Sequence, residues 1–132
     1  MHKKAYILAT LIMVLTTGGF AQEGRVAQSL KPEEFKAKLE TVADAVLLDV
    51  RTQQEVDAGV IPNAKHIDFN GSEFPRVIGE LDREKTYFVY CASGGRSGQA
   101  AALMADMGFK KVYNLEGGLN AWKKKKYPIK KP

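Results

Sequence analysis

The sequence predicts an α/β fold, a central and mostly parallel sheet of about five strands with helices on both faces. Three observations lead there. Short apolar runs alternate with helical patterns along the chain after residue 21. Two of the runs, residues 45–50 (AVLLDV) and 86–90 (TYFVY), are almost continuously apolar, as strands buried on both faces of a parallel sheet are. A strongly amphipathic stretch, residues 97–107, stands between the second of these and the next apolar run, where a crossover helix between parallel strands belongs.

The elements follow in order. Residues 26–28 form a weak first strand candidate. Residues 32–40 read as a helix: Pro32 suits its first position, and Glu33 and Glu34 face the positive end of its dipole. Leu30 and Phe35 are spaced for a hydrophobic staple across that start. Lys31 occupies the cap position without an acceptor side chain, so the cap is poor. After the strand at 45–50, residues 53–58 read as a short helix stopped by Gly59. The turn at Pro62-Asn63 leads into a short strand, 64–67, and residues 74–81 into a short helix. Strand 86–90 is rich in aromatic and β-branched residues. In 97–107, Ala100, Leu103, Met104 and Met107 share one face. Gly108 supplies a left-handed stop and Phe109 the hydrophobic contact after it. Residues 112–115 form the last strand, and Gly117-Gly118 turns the chain into a final helix through Trp122. Tyr113 and Trp122 read as core residues that fix this helix to the sheet.

The chain has 132 residues, 45% of them hydrophobic, which suits one globular domain and not two. Residues 1–21 have the layout of a secretory signal peptide. His2, Lys3 and Lys4 precede an apolar run over 5–15, and Gly19-Phe20-Ala21 places small residues before a cut after Ala21. The run is shorter than the roughly 20 residues that span a bilayer. The expectation is therefore an exported domain over residues 22–132, with a periplasm as its compartment and no stable membrane insertion after cleavage.

The formal net charge is +5, but six lysines follow Trp122, in a Lys-rich tail over residues 123–132. Without these and the two lysines of the leader, twelve basic residues face fifteen acidic ones. The tail reads as a solvated helix end followed by a soluble segment, or as a device steering anions. No basic stripe with interleaved aromatics points to nucleic acid. His2 leaves with the leader, and His66 reads as a strand residue rather than a base or metal ligand. No cluster of residues has metal-ligand spacing, and no cofactor is expected.

The chain has one cysteine, Cys91. It leaves a buried strand, and the segment Cys91-Ala92-Ser93-Gly94-Gly95-Arg96-Ser97 joins it to a helix. Two glycines allow a tight loop whose successive N–H groups converge on one centre. The helix adds its positive N-terminal end. Both act in one direction, favouring thiolate over thiol. The same cradle suits a persulfide anion. Arg96 adds a planar donor fork that could bind a sulfonate-like group or brace the loop, and Ser93 and Ser97 add hydroxyls. The structural alternative is a buried cysteine before a tight turn.

Cys91-Ala92-Ser93-Gly94-Gly95-Arg96 resembles the Cys-x-x-Gly-x-Arg loop of single-domain rhodaneses. Asp49-Val50-Arg51, with Glu55 and Gly59-Val60-Ile61-Pro62-Asn63-Ala64, is similar to the family's upstream segment. Leu115-Glu116-Gly117-Gly118-Leu119-Asn120-Ala121-Trp122 is similar to its C-terminal one. The resemblance implies a rhodanese-like three-layer fold and a sulfurtransferase. A small anionic donor such as thiosulfate would pass its sulfane sulfur to Cys91 as a persulfide, and a thiol, cyanide or protein acceptor would remove it. It implies that Ala92, Ser93, Gly94, Gly95, Arg96 and Ser97 bind the substrate. It places Asp49, Arg51 and Glu55 near the active face as an ion-pair network bracing the loops, for which the plain structural reading is a salt bridge of Arg51 with Glu55. Val60 and Asn63 depart from the usual His and Gly of a turn. Ala92 stands where many active small members carry a basic residue, which bears on donor preference.

Related cysteine phosphatases place five residues between Cys and Arg. Here there are four, a cradle better suited to one sulfur than to a tetrahedral phosphate. No His is paired with Cys91 by motif, so a Cys-His hydrolase finds no support. The alternative from another class is a sulfur-carrier or protein-binding module with little turnover, serving an exported partner.

Overall fold

The computed structural model describes residues 26–132; the expected leader lies outside them. Ten elements alternate along this span: β1 (Ala27–Leu30), α1 (Pro32–Thr41), β2 (Ala45–Asp49), α2 (Gln53–Asp57), β3 (Lys65–His66), α3 (Phe74–Gly79), β4 (Thr86–Tyr90), α4 (Gly95–Asp106), β5 (Lys111–Leu115) and α5 (Gly118–Lys124). The five strands form one sheet in the order β1-β5-β4-β2-β3. Every ladder in it is parallel.

Strand period two explains the layers. Along β4 and just after it, Tyr87, Val89 and Cys91 point to one face, and Phe88 and Tyr90 to the other. The first face is covered by Phe74 and Ile78 of α3 and by Ala100, Ala101 and Met104 of α4. The second is covered by Phe35 of α1 and by Leu119 and Trp122 of α5. Phe35 stands edge-on to Phe88, with ring centres 5.3 Å apart. Leu30 and Phe35 are buried in the same cluster, as the staple requires, and the Lys31 side chain makes no cap bond.

Several boundaries differ from the sequence reading. β1 runs one residue later at its start and two at its end, because its register is set by pairing Ala27–Leu30 with Val112–Leu115. α3 stops at Gly79. α4 starts at Gly95, not Ser97: Gly94 takes the left-handed conformation (φ 101°) and turns the chain into the helix two residues early. The Lys-rich segment starts inside α5 and returns to the domain. Val60 and Lys130 exchange backbone hydrogen bonds of 2.8 Å in an antiparallel bridge, and the Trp122 indole donates to the Pro128 carbonyl at 2.9 Å.

The strand order places the site. The chain leaves β4 towards β5 on one side and β2 towards β3 on the other. The crevice between the carboxyl ends of β2 and β4 is thus a topological switch point, where ligands bind in parallel sheets.

Candidate active site

Cys91 follows the last residue of β4, and Arg51 lies two residues after the end of β2. The two loops leaving the switch point therefore start as neighbours, and Val50 donates its amide to the Tyr90 carbonyl at 3.0 Å.

Cys91 is 1% exposed. Its sulfur accepts the Gly94 amide at 3.0 Å and the Ser97 hydroxyl at 3.3 Å. Burial pushes the thiol pKa up. The Ser97 hydroxyl, and the amides of Ser97, Gly94 and Ser93, more than offset this, and the net shift is downward. The loop therefore stabilises the thiolate relative to that of a free cysteine, the direction its sequence predicted. The left-handed Gly94 is what turns the amides inwards. A Cβ at this position would also crowd the Gly117 amide nitrogen and the Leu115 carbonyl oxygen, each only 3.3 Å away.

Arg96 commits one donor of each terminal nitrogen to the protein itself. Its two terminal nitrogens bind the two carboxylate oxygens of Glu55 at 2.7 and 2.9 Å. Of the two roles the sequence left open for Arg96, the structure shows bracing. Glu55 in turn closes a capping box with Thr52, the cap residue of α2. The Arg96 fork draws the Glu55 pKa down to about 2, against the opposing effect of partial burial and with help from Thr52.

Arg51 pairs with Asp49, not with the Glu55 carboxylate. Its Nε and Nη2 grip the Asp49 oxygens, the shortest contact being 2.7 Å, and both residues are buried. The remaining donors reach the Gly59 carbonyl at 2.6 Å and the Glu55 carbonyl at 3.3 Å. The Arg51–Glu55 salt bridge of the plain reading is absent because the fork is already filled by a carboxylate two residues away. His66 sits in β3 with its Nε2 2.6 Å from the Arg51 carbonyl, a strand residue tied to backbone. The Tyr90 hydroxyl accepts the Ile61 amide at 3.0 Å. Burial, reinforced by Asp49, pushes its pKa up, so it stays neutral.

The sequence reading missed the support behind the loop. Leu119 and Asn120, at the start of α5, donate their amides to the carbonyls of Cys91 and Ala92 at 2.8 and 3.0 Å. This approach needs Gly118: a Cβ there would lie 2.6 Å from the Cys91 and Ala92 carbonyl oxygens. The Gly-Gly pair was the available signal, since both residues have positive φ, 75° and 59°. Asn114 donates to Ser29 Oγ at 3.1 Å and to the Gly94 carbonyl at 3.4 Å. Among the described residues there is no cluster that could hold a metal ion, and no helix is long and apolar enough to cross a membrane.

The Cys91 thiol is thus buried at the end of a parallel strand among donors that stabilise a negative charge on its sulfur. Known proteins share both the fold and the sequence. A sulfurtransferase of Allochromatium vinosum is 32% identical over 107 residues, covering 81% of this chain and 98% of its own. A thiosulfate sulfurtransferase, GlpE, of Pseudomonas syringae pv. syringae is 35% identical over 94 residues, covering 71% and 85%. The crystal structure of a rhodanese-related protein from Thermoplasma volcanium superposes with a TM-score of 0.70 at 30% identity, over 80% of this chain and 99% of that one. The rhodanese-like domain model matches residues 31–125, a span that holds both loops of the switch point and the helix supporting them, and the chain therefore belongs to the rhodanese-like domain family.

Proposed function

We propose that this domain is a sulfurtransferase that carries sulfane sulfur as a persulfide on Cys91, working after export, in a periplasm. The observation that carries the reading is the sulfur of Cys91 accepting hydrogen bonds from Gly94 and Ser97 inside a loop that lowers its pKa. In the first step the thiolate attacks the outer sulfur of a donor such as thiosulfate. The donor S–S bond breaks, and sulfite leaves with its electron pair. A Cys91 persulfide remains. In the second step a thiolate or cyanide attacks the outer persulfide sulfur, and the Cys91 thiolate is restored. Each step moves one anion into the cradle and one out, so the amides of residues 92–97 serve both. Residues 22–132 form the exported domain after removal of the leader.

The test is sulfur transfer from thiosulfate to cyanide by the wild type and Cys91→Ser, together with the mass of the protein after thiosulfate alone. The expected result is activity and a gain of one sulfur atom in the wild type only. Equal activity in the two proteins would sink the reading.

One observation favours a low-turnover carrier as the second reading. With the Arg96 charge balanced by Glu55 and Ala92, not a basic residue, following the cysteine, the loop offers the sulfonate end of thiosulfate no net positive charge. A persulfide that forms and persists, but turns over slowly with small donors and acceptors, would select this reading.

A further inference from the structure

The face of the sheet opposite the Cys91 side chain carries a second concave surface. A groove of about 410 Å³ lies between α1 and the returning C-terminal segment, lined by Leu39, Val42, Leu47, Ile61, Trp122 and Pro128, with Lys36 and Glu40 also on its walls. Ala45, the first residue of β2, lines it too, and Ala45 pairs with Thr86, the first residue of β4. Cys91 follows the last residue of that strand. Leu47 and Ile61 carry the groove further along the sheet, but its lining belongs to the Phe88 and Tyr90 face, whereas the Cys91 side chain packs on the other.

The segment that walls the groove is fixed. Tyr127 packs against Trp122 with ring centres 5.1 Å apart, the Trp122 indole holds the Pro128 carbonyl, and Lys130 is bridged to Val60. Exposed lysines precede and follow Pro128. Lys125 is paired with Glu33 and Lys36 with Glu40, but Lys123, Lys124, Lys126, Lys130 and Lys131 form no ion pair among the described residues. Lys124 faces a separate recess with Glu33 and Glu116, but Lys126 and Lys130 stand two residues before and after Pro128, a wall of the groove, and the rest of the domain has more acidic than basic residues.

We propose that the groove and its lysine border form a docking site for an acidic segment of a partner protein that carries one apolar anchor residue. The apolar walls take the anchor, and the lysines take the flanking carboxylates. The chain's own leader has the wrong sign, because its start is His2-Lys3-Lys4. A second copy would bring the same lysines against this face. A lipid surface fits poorly: membrane binding needs projecting apolar side chains, whereas this site is concave and Ile129, at 37%, is the exposed large hydrophobic residue of the described span. The proposal does not depend on sulfur transfer, since no residue of the Cys91 loop lines the groove.

Trp122 is the chain's single tryptophan, so its fluorescence reports on the groove directly. The experiment titrates the full chain with a synthetic peptide of Glu and Asp around one Leu. The expected result is a saturable change in Trp122 emission, unaltered in Cys91→Ser. Raising the salt to about 0.5 M weakens binding roughly tenfold. Lys126→Glu with Lys130→Glu weakens it by at least as much, and so does replacing the peptide's Leu by Gly. Ala45→Leu, which fills the groove and leaves every charge in place, abolishes the change. Circular dichroism of each variant confirms folding, and the Leu→Gly peptide tests the anchor on unaltered protein. Equal binding of the Leu and Gly peptides overturns the proposal, and so does undiminished binding by the charge-reversed chain. A Trp122 response to phosphatidylglycerol vesicles with none to the peptide overturns it in favour of a membrane surface.

Discussion

Arg96 and Glu55, 41 positions apart, meet fork to fork at 2.7 and 2.9 Å and lock the loop after β4 to the helix after β2. Removing the carboxylate leaves a half-buried guanidinium unpaired and loosens both sides of the switch point. Glu55→Gln is expected to lower stability by about 1 to 2 kcal/mol. The sign of the pH dependence follows from the lowered pKa. Glu55 binds its proton more weakly when folded, so the pair's stabilisation is complete above the usual carboxylate value of about 4.3. It is lost as the pH falls towards 2. Thermal melts between pH 5 and 2 should fall less steeply for Glu55→Gln than for wild type. Parallel curves would remove Glu55 from this role.

Ser97 is fully buried and donates to the Cys91 sulfur. Ser97→Ala removes a donor to the thiolate and leaves the burial that opposes ionisation. The thiol pKa is expected to rise, and alkylation by iodoacetamide at neutral pH to slow by several-fold to about tenfold. The pH profile of alkylation measures both, and an unshifted profile would show that the backbone amides alone hold the charge.

Two glycines of the site should respond oppositely to alanine. Gly118→Ala forces a Cβ to within 2.6 Å of the Cys91 and Ala92 carbonyls, at a positive φ. It should cost about 1 to 3 kcal/mol and displace the loop. Gly95 has nothing within 4 Å of an added Cβ and lies in the first turn of α4. Gly95→Ala should leave stability unchanged or raise it by up to about 1 kcal/mol. Chemical denaturation of the two variants checks both.

Arg51→Met leaves Asp49 buried without its cation. Breaking such a pair from one side costs about 3 to 5 kcal/mol. Arg51→Lys should recover only part of this, because one ammonium cannot reach Asp49 and the Gly59 carbonyl as the fork does. Urea midpoints that rank Lys with Met, or with wild type, would show that the fork's second contact contributes differently.

The sheet and the donor-lined loop around Cys91 were legible because their signals are local. The runs at 45–50 and 86–90 are strands by composition, and a cysteine followed by two glycines and a helix needs no distant information. What stayed hidden was pairing across the fold. Nothing near Arg51 distinguishes Asp49 from Glu55 as its partner; the choice is made by the sharp bend after β2, which brings the Arg51 amide and side chain onto the same carboxylate. The Thr52–Glu55 capping box had a readable signature and was the missed clue that Glu55 is anchored at the start of α2. The return of the tail to Val60 had none, because a single backbone bridge leaves no side-chain pattern.

The hydrogen bonds from α5 to the carbonyls of Cys91 and Ala92 have an electrical consequence. A peptide group carries both a donor and an acceptor, so a bare loop would show an approaching anion a mixture of attraction and repulsion. Here three of the acceptors are spoken for: Leu119 and Asn120 take the first two carbonyls, and Gly98 with Asn114 takes that of Gly94. The donors of the same stretch are left to the sulfur. This part of the loop is thereby sorted by sign, acceptors behind and donors in front, and the amides of Ser93, Gly94 and Ser97 add their positive ends to the field of the Glu55-paired Arg96 at the thiol.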